Sequence, residues 1–202
     1  MGFWGTLITA RAERLPPALE AHGAVVRDHE GARRGDGWRV FGIPDNLLGD
    51  SLDPLLGLVA ATSSPVLTAY IADSDHGQVI AASPHGDPWG VWLDRQTAYA
   101  FERDHHVMSG ASRAAARRRA RDMIAGFGCP PAKATRHAVD WAAEAGYRVP
   151  PAPIRRLLRT ARRPGLGGRL RLPSARYEVA EDLYFTLLDH LGLPRAPGSP
   201  DD

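Results

Sequence analysis

The chain contains a single cysteine, Cys129, and a single lysine, Lys133. One thiol rules out an intramolecular disulfide and any cysteine-built metal site. Long apolar runs are missing as well. No stretch approaches the roughly 18 consecutive apolar residues that would span a bilayer, so no membrane association is expected. The opening Met-Gly-Phe-Trp-Gly-Thr-Leu-Ile-Thr-Ala lacks the basic start and sustained apolar core of a secretory signal, which makes the cytoplasm the expected location. Gly2 and Thr6 fit a myristoylation pattern, read here as coincidence in a chain of bacterial composition. Also absent are Gly-x-Ser-x-Gly, His-Glu-x-x-His and a P-loop with its Lys-Ser/Thr. With no such motif and no paired catalytic carboxylates, the reading leans away from an enzyme, and no cofactor is expected.

What is present suits a globular protein. The chain has 202 residues, 44% of them hydrophobic and 24% charged, enough for one compact domain or one with a helical appendage. Arginine supplies all the positive side chains but one. With abundant Ala, Gly and Pro this reflects a high-GC coding bias, so the Arg/Lys ratio by itself says nothing about recognition.

Local patterns divide the chain. Strand signals fall at Phe3–Thr9, Ala24–His29, Gly37–Ile43, Pro65–Ala72, Gln78–Ala82 and Trp89–Leu93. Short helices are expected at Pro16–Ala21 and after Asp53-Pro54. The turns Asp73–Gly77 and Ser83–Pro88 are short, so the last three strands should form an antiparallel meander. Asp94 should cap a helix reaching about Arg103. After His105 only helical periods remain. One seam is Ala116, Ala120, Met123 and Phe127, and a second is Ala134, Ala138, Trp141, Ala142 and Ala145, closed by Gly146. A third holds Ile154, Leu157, Leu158 and Ala161, and a last helix should follow Ser174. The expected fold is α+β: an antiparallel sheet with packed helices in the N-terminal half, then an all-helical half. The expected boundaries are a sheet domain over 1–104, a helical region packed on or appended to it over 111–192, and a disordered tail over 193–202.

The net charge of +2 conceals a strong segregation. Residues 1–112 carry −6, residues 113–176 carry +13 and residues 177–202 carry −5. On the first basic helix Arg113, Arg117, Arg118 and Arg121 flank the apolar seam on one side, with Arg119 on the other. On a later helix Arg155, Arg156, Arg159, Arg162 and Arg163 surround the apolar stripe. Crowding like charges costs folding energy unless an acidic surface compensates. The plain reading is that these helices dock on the acidic half or form a solvated face. The sharper readings are an acidic protein partner, or a nucleic acid contacted by Arg117, Arg121, Arg155 and Arg159. Ala132–Ala145 and Ile154–Arg162 are compatible with a helix-turn-helix, although Pro150, Pro151 and Pro153 stiffen the connection.

Other constellations are thinner. Asp73, Asp75 and His76 offer ligands for a divalent metal, with His85 and Asp87 as candidate additions. The two turns lie at opposite ends of a meander, however, and Asp, Ser, Gly and His are also ordinary turn residues. A metal-dependent enzyme centred there is the second alternative. Asp104-His105-His106 and Gly165–Arg169 lack the surroundings their resemblances require. Cys129 as a nucleophile needs a nearby base, and His137 sits on the edge of a helical seam. Trp4, Trp38, Trp89 and Trp92 fall on strands and suit a core. Trp89 and Trp92 face opposite sides of one strand, so one of them is a candidate interface anchor.

The opening Met-Gly-Phe-Trp-Gly, Trp38, and Tyr70 ahead of Asp73-Ser-Asp75 resemble uncharacterised proteins of high-GC Gram-positive bacteria, a likeness that carries no activity. In size and layout the chain also resembles bacterial toxin-immunity proteins, which implies a binding role. The first reading is therefore a non-enzymatic, immunity-like binding protein engaging an acidic protein partner. It would use the basic surface of Arg113, Arg117, Arg118, Arg121, Arg155, Arg156 and Arg159 and the aromatic pair Trp89 and Trp92.

Overall fold

The computed structural model describes residues 2–12, 17–20, 24–27, 32, 34–44, 46–49, 51–159 and 179–196. Its strands are β1 (Gly5–Arg11), β2 (Val25–Val26), β3 (Trp38–Ile43), β4 (Val66–Ala72), β5 (His76–Ala82) and β6 (Trp89–Leu93). They form one sheet in the order β2-β3-β1-β4-β5-β6, with every neighbouring pair antiparallel. The expected meander is the β4-β5-β6 edge. Central β1 buries six of its seven residues. Because β3 and β4 both oppose β1, they run parallel to each other and are joined over it by helix α2 (Asp53–Thr62).

The period of two in each strand sends alternate side chains to opposite faces. One face carries Leu7, Trp38, Val40, Leu67, Val79 and Val91. It packs against helices α5 (Pro131–Glu144), α6 (Pro151–Leu158) and α7 (Ala180–His190). The opposite face carries Ile8, Phe41, Val66 and Ala82 beneath α1 (Pro17–Glu20) and α2. Further along, Trp92 lies beneath α3 (Arg95–Met108) and α4 (Arg113–Gly126).

The fold is α+β, and its helical half is packed on the sheet and shares its core. Ala134, Ala138 and Ala142 recur every four residues on α5, so its backbone can approach closely. Trp141 then reaches the sheet, its indole N–H shared between the carbonyls of Val66 (3.2 Å) and Ala82 (3.1 Å). Burying so large a ring contributes on the order of 2–3 kcal/mol. Tyr184 of α7 donates to the Leu67 carbonyl at 3.2 Å and shares a 2.7 Å hydrogen bond with Thr9 Oγ1. Full burial pushes that phenol well above its ordinary ionisation range.

Three expectations need correction. Helix α3 continues to Met108, five residues past the expected end. In α4 the buried seam is Ala116, Ala120 and Ile124, while Met123 is 36% exposed. Steps of four place Ile124, not Met123, over the sheet. Residues 193–195, expected to begin a tail, belong to the fold. Leu193 is 2% exposed, and Arg195 bridges Arg34 and pairs with Asp189 at 2.7 Å. Residues 197–202, the loop Pro164–Pro173 with Arg162 and Arg163, and the expected cap Ser174 lie outside the described residues. Among the described residues no helix is long and apolar enough to cross a membrane.

Candidate functional site

The carboxylates and histidine proposed for a metal do not converge. Asp73 and Ser74 take left-handed backbone angles, φ 51° and 59°, in the β4–β5 turn, a conformation that Asp tolerates. Asp73 and Asp75 face solvent, whereas His76 is buried. Its ring lies 5.0 Å from Phe101 and 5.9 Å from Trp92. Ser74 shows what the turn is for. Its hydroxyl accepts from the Phe3 amide and donates to Glu181, both at 2.7 Å, and its carbonyl accepts from the Ala180 amide at 2.8 Å. The turn ties the start of β1 to the start of α7. His85 lies in the hairpin at the other end of β5, where Glu144 receives its amide at 3.0 Å. Among the described residues no three His, Cys, Asp or Glu side chains are placed to hold a metal.

The aromatic pair is likewise no surface anchor. Trp89 is 6% and Trp92 5% exposed, because helices cover both faces of β6. Trp89 stacks on His137 at 6.4 Å, which commits that histidine to packing. Trp92 meets Phe127 edge-on at 5.0 Å and donates to the Ile124 carbonyl at 3.2 Å. The exposed indole is Trp4, at 50%, which donates to the Tyr70 hydroxyl at 2.5 Å.

The arginines give a different result. Helices α3 and α4 form a hairpin whose two starts are capped locally. Asp94 accepts from the Thr97 amide at 3.1 Å, and Ser112 from the Ala115 amide at 3.3 Å. Between the start of α3 and the end of α4 opens a cleft of about 460 Å³, lined by Arg95, Tyr99, Arg121 and Ile124 among others. A second cleft of about 340 Å³ shares Arg95 and Ile124 with the first and runs along the outer edge of β6. Its apolar lining includes Trp92, Phe127 and Leu158, with Cys129 and Arg159 beside them. Arg159 also lines a shallower basin with Arg155 and Arg156. Shared walls at Arg95, Ile124 and Arg159 set the three side by side as one trough. Among the described residues, every charged side chain lining them is an arginine and none is a carboxylate.

The structure therefore gathers Arg121, Arg155, Arg156 and Arg159 on one trough and adds Arg95. Arg113, Arg117 and Arg118 are exposed on α4 but line none of it. Helices α4, α5 and α6 do dock on the sheet half through their apolar seams, and the arginines of α4 and α6 all face solvent. Sequence reading missed Arg95 because it sits in a segment of net negative charge. The trough joins positions 95, 121 and 159, a spacing that no local pattern announces.

The trough's floor depends on how the sheet edge is closed. After α4 the chain turns at Gly128, φ +70°, so that the Cys129 amide donates to the Gly90 carbonyl at 2.8 Å. A Cβ on Gly128 would meet that carbonyl oxygen at 2.5 Å. Burial pushes the Cys129 thiol above its ordinary value, and the nearby cations Lys133 and Arg136 only partly oppose this. The thiol is thus kept protonated, the reverse of an activated nucleophile. What the arrangement offers is guanidinium donors around an apolar floor. No protein-family model, no curated protein and no solved structure matches the chain.

Proposed function

We propose that this chain is a non-enzymatic, cytoplasmic binding protein whose trough takes an acidic segment of a partner protein. The observation that carries the reading is the lining itself: arginines from α3, α4 and the end of α6 border an apolar floor, with no carboxylate among the described lining residues. Guanidinium forks match carboxylates in geometry as well as charge. An exposed pair of this kind contributes only about 0.2–1 kcal/mol, so a few arginines alone do not give a stable complex. The apolar floor supplies the remainder, and it suits a protein segment carrying apolar side chains among its acids. The layout resembling immunity proteins would make a toxin one such partner.

A nucleic acid is the second reading, favoured by Arg113, Arg117 and Arg118 extending the positive surface along α4 beyond the trough. Fluorescence anisotropy separates the two, using a labelled peptide of alternating Glu and Val and a labelled random-sequence DNA duplex. The proposal expects peptide binding that Arg121→Glu abolishes, with no duplex binding at physiological salt. Tight duplex binding with a steep salt dependence, without peptide binding, would instead establish the nucleic-acid reading.

A further inference from the structure

Resting on that reading of the trough, we infer how the acidic segment binds: as an extended strand added to the outer edge of β6 at Trp92, two residues beyond the point where the chain closes that edge itself. The phase of the edge follows from one hydrogen bond. In an antiparallel ladder, backbone polar groups point alternately toward one neighbour and the other. The Gly90 carbonyl accepts from Cys129 on the outer side, so Gly90 and Trp92 turn their N–H and C=O groups outward. Val91, opposite Val79 in the register, turns inward to β5.

The 127–129 segment engages Gly90, and among the described residues no backbone partner closes on the outward groups of Trp92. Trp92 lines the second cleft, at the centre of the trough. Unpaired strand edges are ready templates for another chain. Here the edge is guarded by arginines, which repel basic segments and admit acidic ones.

The same register assigns the occupant's side chains. A residue paired with Trp92 projects on the Trp92 face of the sheet, toward Ile124 and Arg121 of α4. Its two neighbours project on the opposite face, toward Leu158 and Arg159. Carboxylates on either face thus reach an arginine while β-branched side chains meet the apolar floor. An α-helix has all its backbone groups bonded internally and would leave the Trp92 pair unused.

The test uses a blocked Glu/Val alternating heptapeptide, two versions of it N-methylated at either set of alternate residues, and a helix-forming acidic peptide of Glu, Ala and Leu. Each is titrated into the isotope-labelled full chain and followed by amide chemical shifts. The expected result is perturbation and slowed hydrogen exchange at the Trp92 amide with the unmodified peptide. One of the two methylated phases should bind about tenfold more weakly, the effect of losing a backbone hydrogen bond. The helical peptide should bind at least as weakly. If all four peptides bind alike and Arg121→Glu weakens them alike, strand addition is wrong and the acidic-partner reading stands. If none binds at millimolar concentration, both are wrong.

Discussion

The Cys129 amide donates to the Gly90 carbonyl at 2.8 Å, and this one bond closes the end of an edge strand that would otherwise continue open. It depends on Gly128, which lies between them in left-handed backbone with no room for a side chain. Gly128→Ala should therefore destabilise the fold by about 1–3 kcal/mol, from the positive φ and the contact with Gly90 together. Chemical denaturation reads the loss. Amide exchange in the variant should rise first around residues 127–129, while that of β1 stays slow.

Cys129 reports on the same place. Because burial raises its thiol pKa, alkylation by iodoacetamide at pH 8 should run slower than for a free thiol. It should also gain speed at more alkaline pH than a free thiol does. An acidic peptide in the trough should slow it further. Alkylation at the rate of an exposed cysteine, unchanged by peptide, would show that the thiol does not lie beside the binding floor.

Beside α7, Arg34 has its side chain fully buried and pairs with Asp189. It also donates to the carbonyls of Phe185 (3.2 Å) and Leu193 (3.4 Å) at the end of α7. Removing the carboxylate leaves a buried guanidinium short of its countercharge. Asp189→Ala should cost about 2–4 kcal/mol in denaturant unfolding, with peptide binding by the folded protein unchanged.

His190, beside that pair, gives stability a pH dependence. Burial lowers its pKa and Arg156 acts in the same direction, while Asp189 partly opposes them. The unfolded chain therefore takes up the proton first as pH falls. The stability due to a neutral His190 is complete above the ordinary histidine value of about 6.5. It is lost as pH drops through the lowered folded value. His190→Gln should flatten the stability profile as pH falls below the ordinary histidine value, measured by denaturation midpoints.

The α+β class and the β4-β5-β6 meander were legible because their signals are local: alternation over a few residues, Gly and Asp turns, and the Asp94 cap. The order of strands was not, since nothing in β1 or β3 states that β1 will lie between β3 and β4. Trp89 and Trp92 show the same limit. Opposite projection from one strand was readable, but burial of both required knowing that α5 covers one face and α3–α4 the other. The charge map located the basic segment correctly, yet segment totals concealed Arg95. They also could not separate Arg121, which borders the trough, from Arg117, one turn earlier on the same helix and outside it.

The central claim is that the trough along β6 is the binding surface, and an amide chemical-shift map tests it most directly. The Glu/Val peptide is titrated into the wild-type chain and into the double variant Arg121→Glu, Arg159→Glu. Both arginines are exposed, so the variant should keep its stability. The predicted result is a contiguous set of shifts over residues 90–96, 124–129 and 158–159, lost in the variant. Shifts centred on Trp4, spread evenly over the exposed arginines of α4, or unchanged in the variant would contradict it.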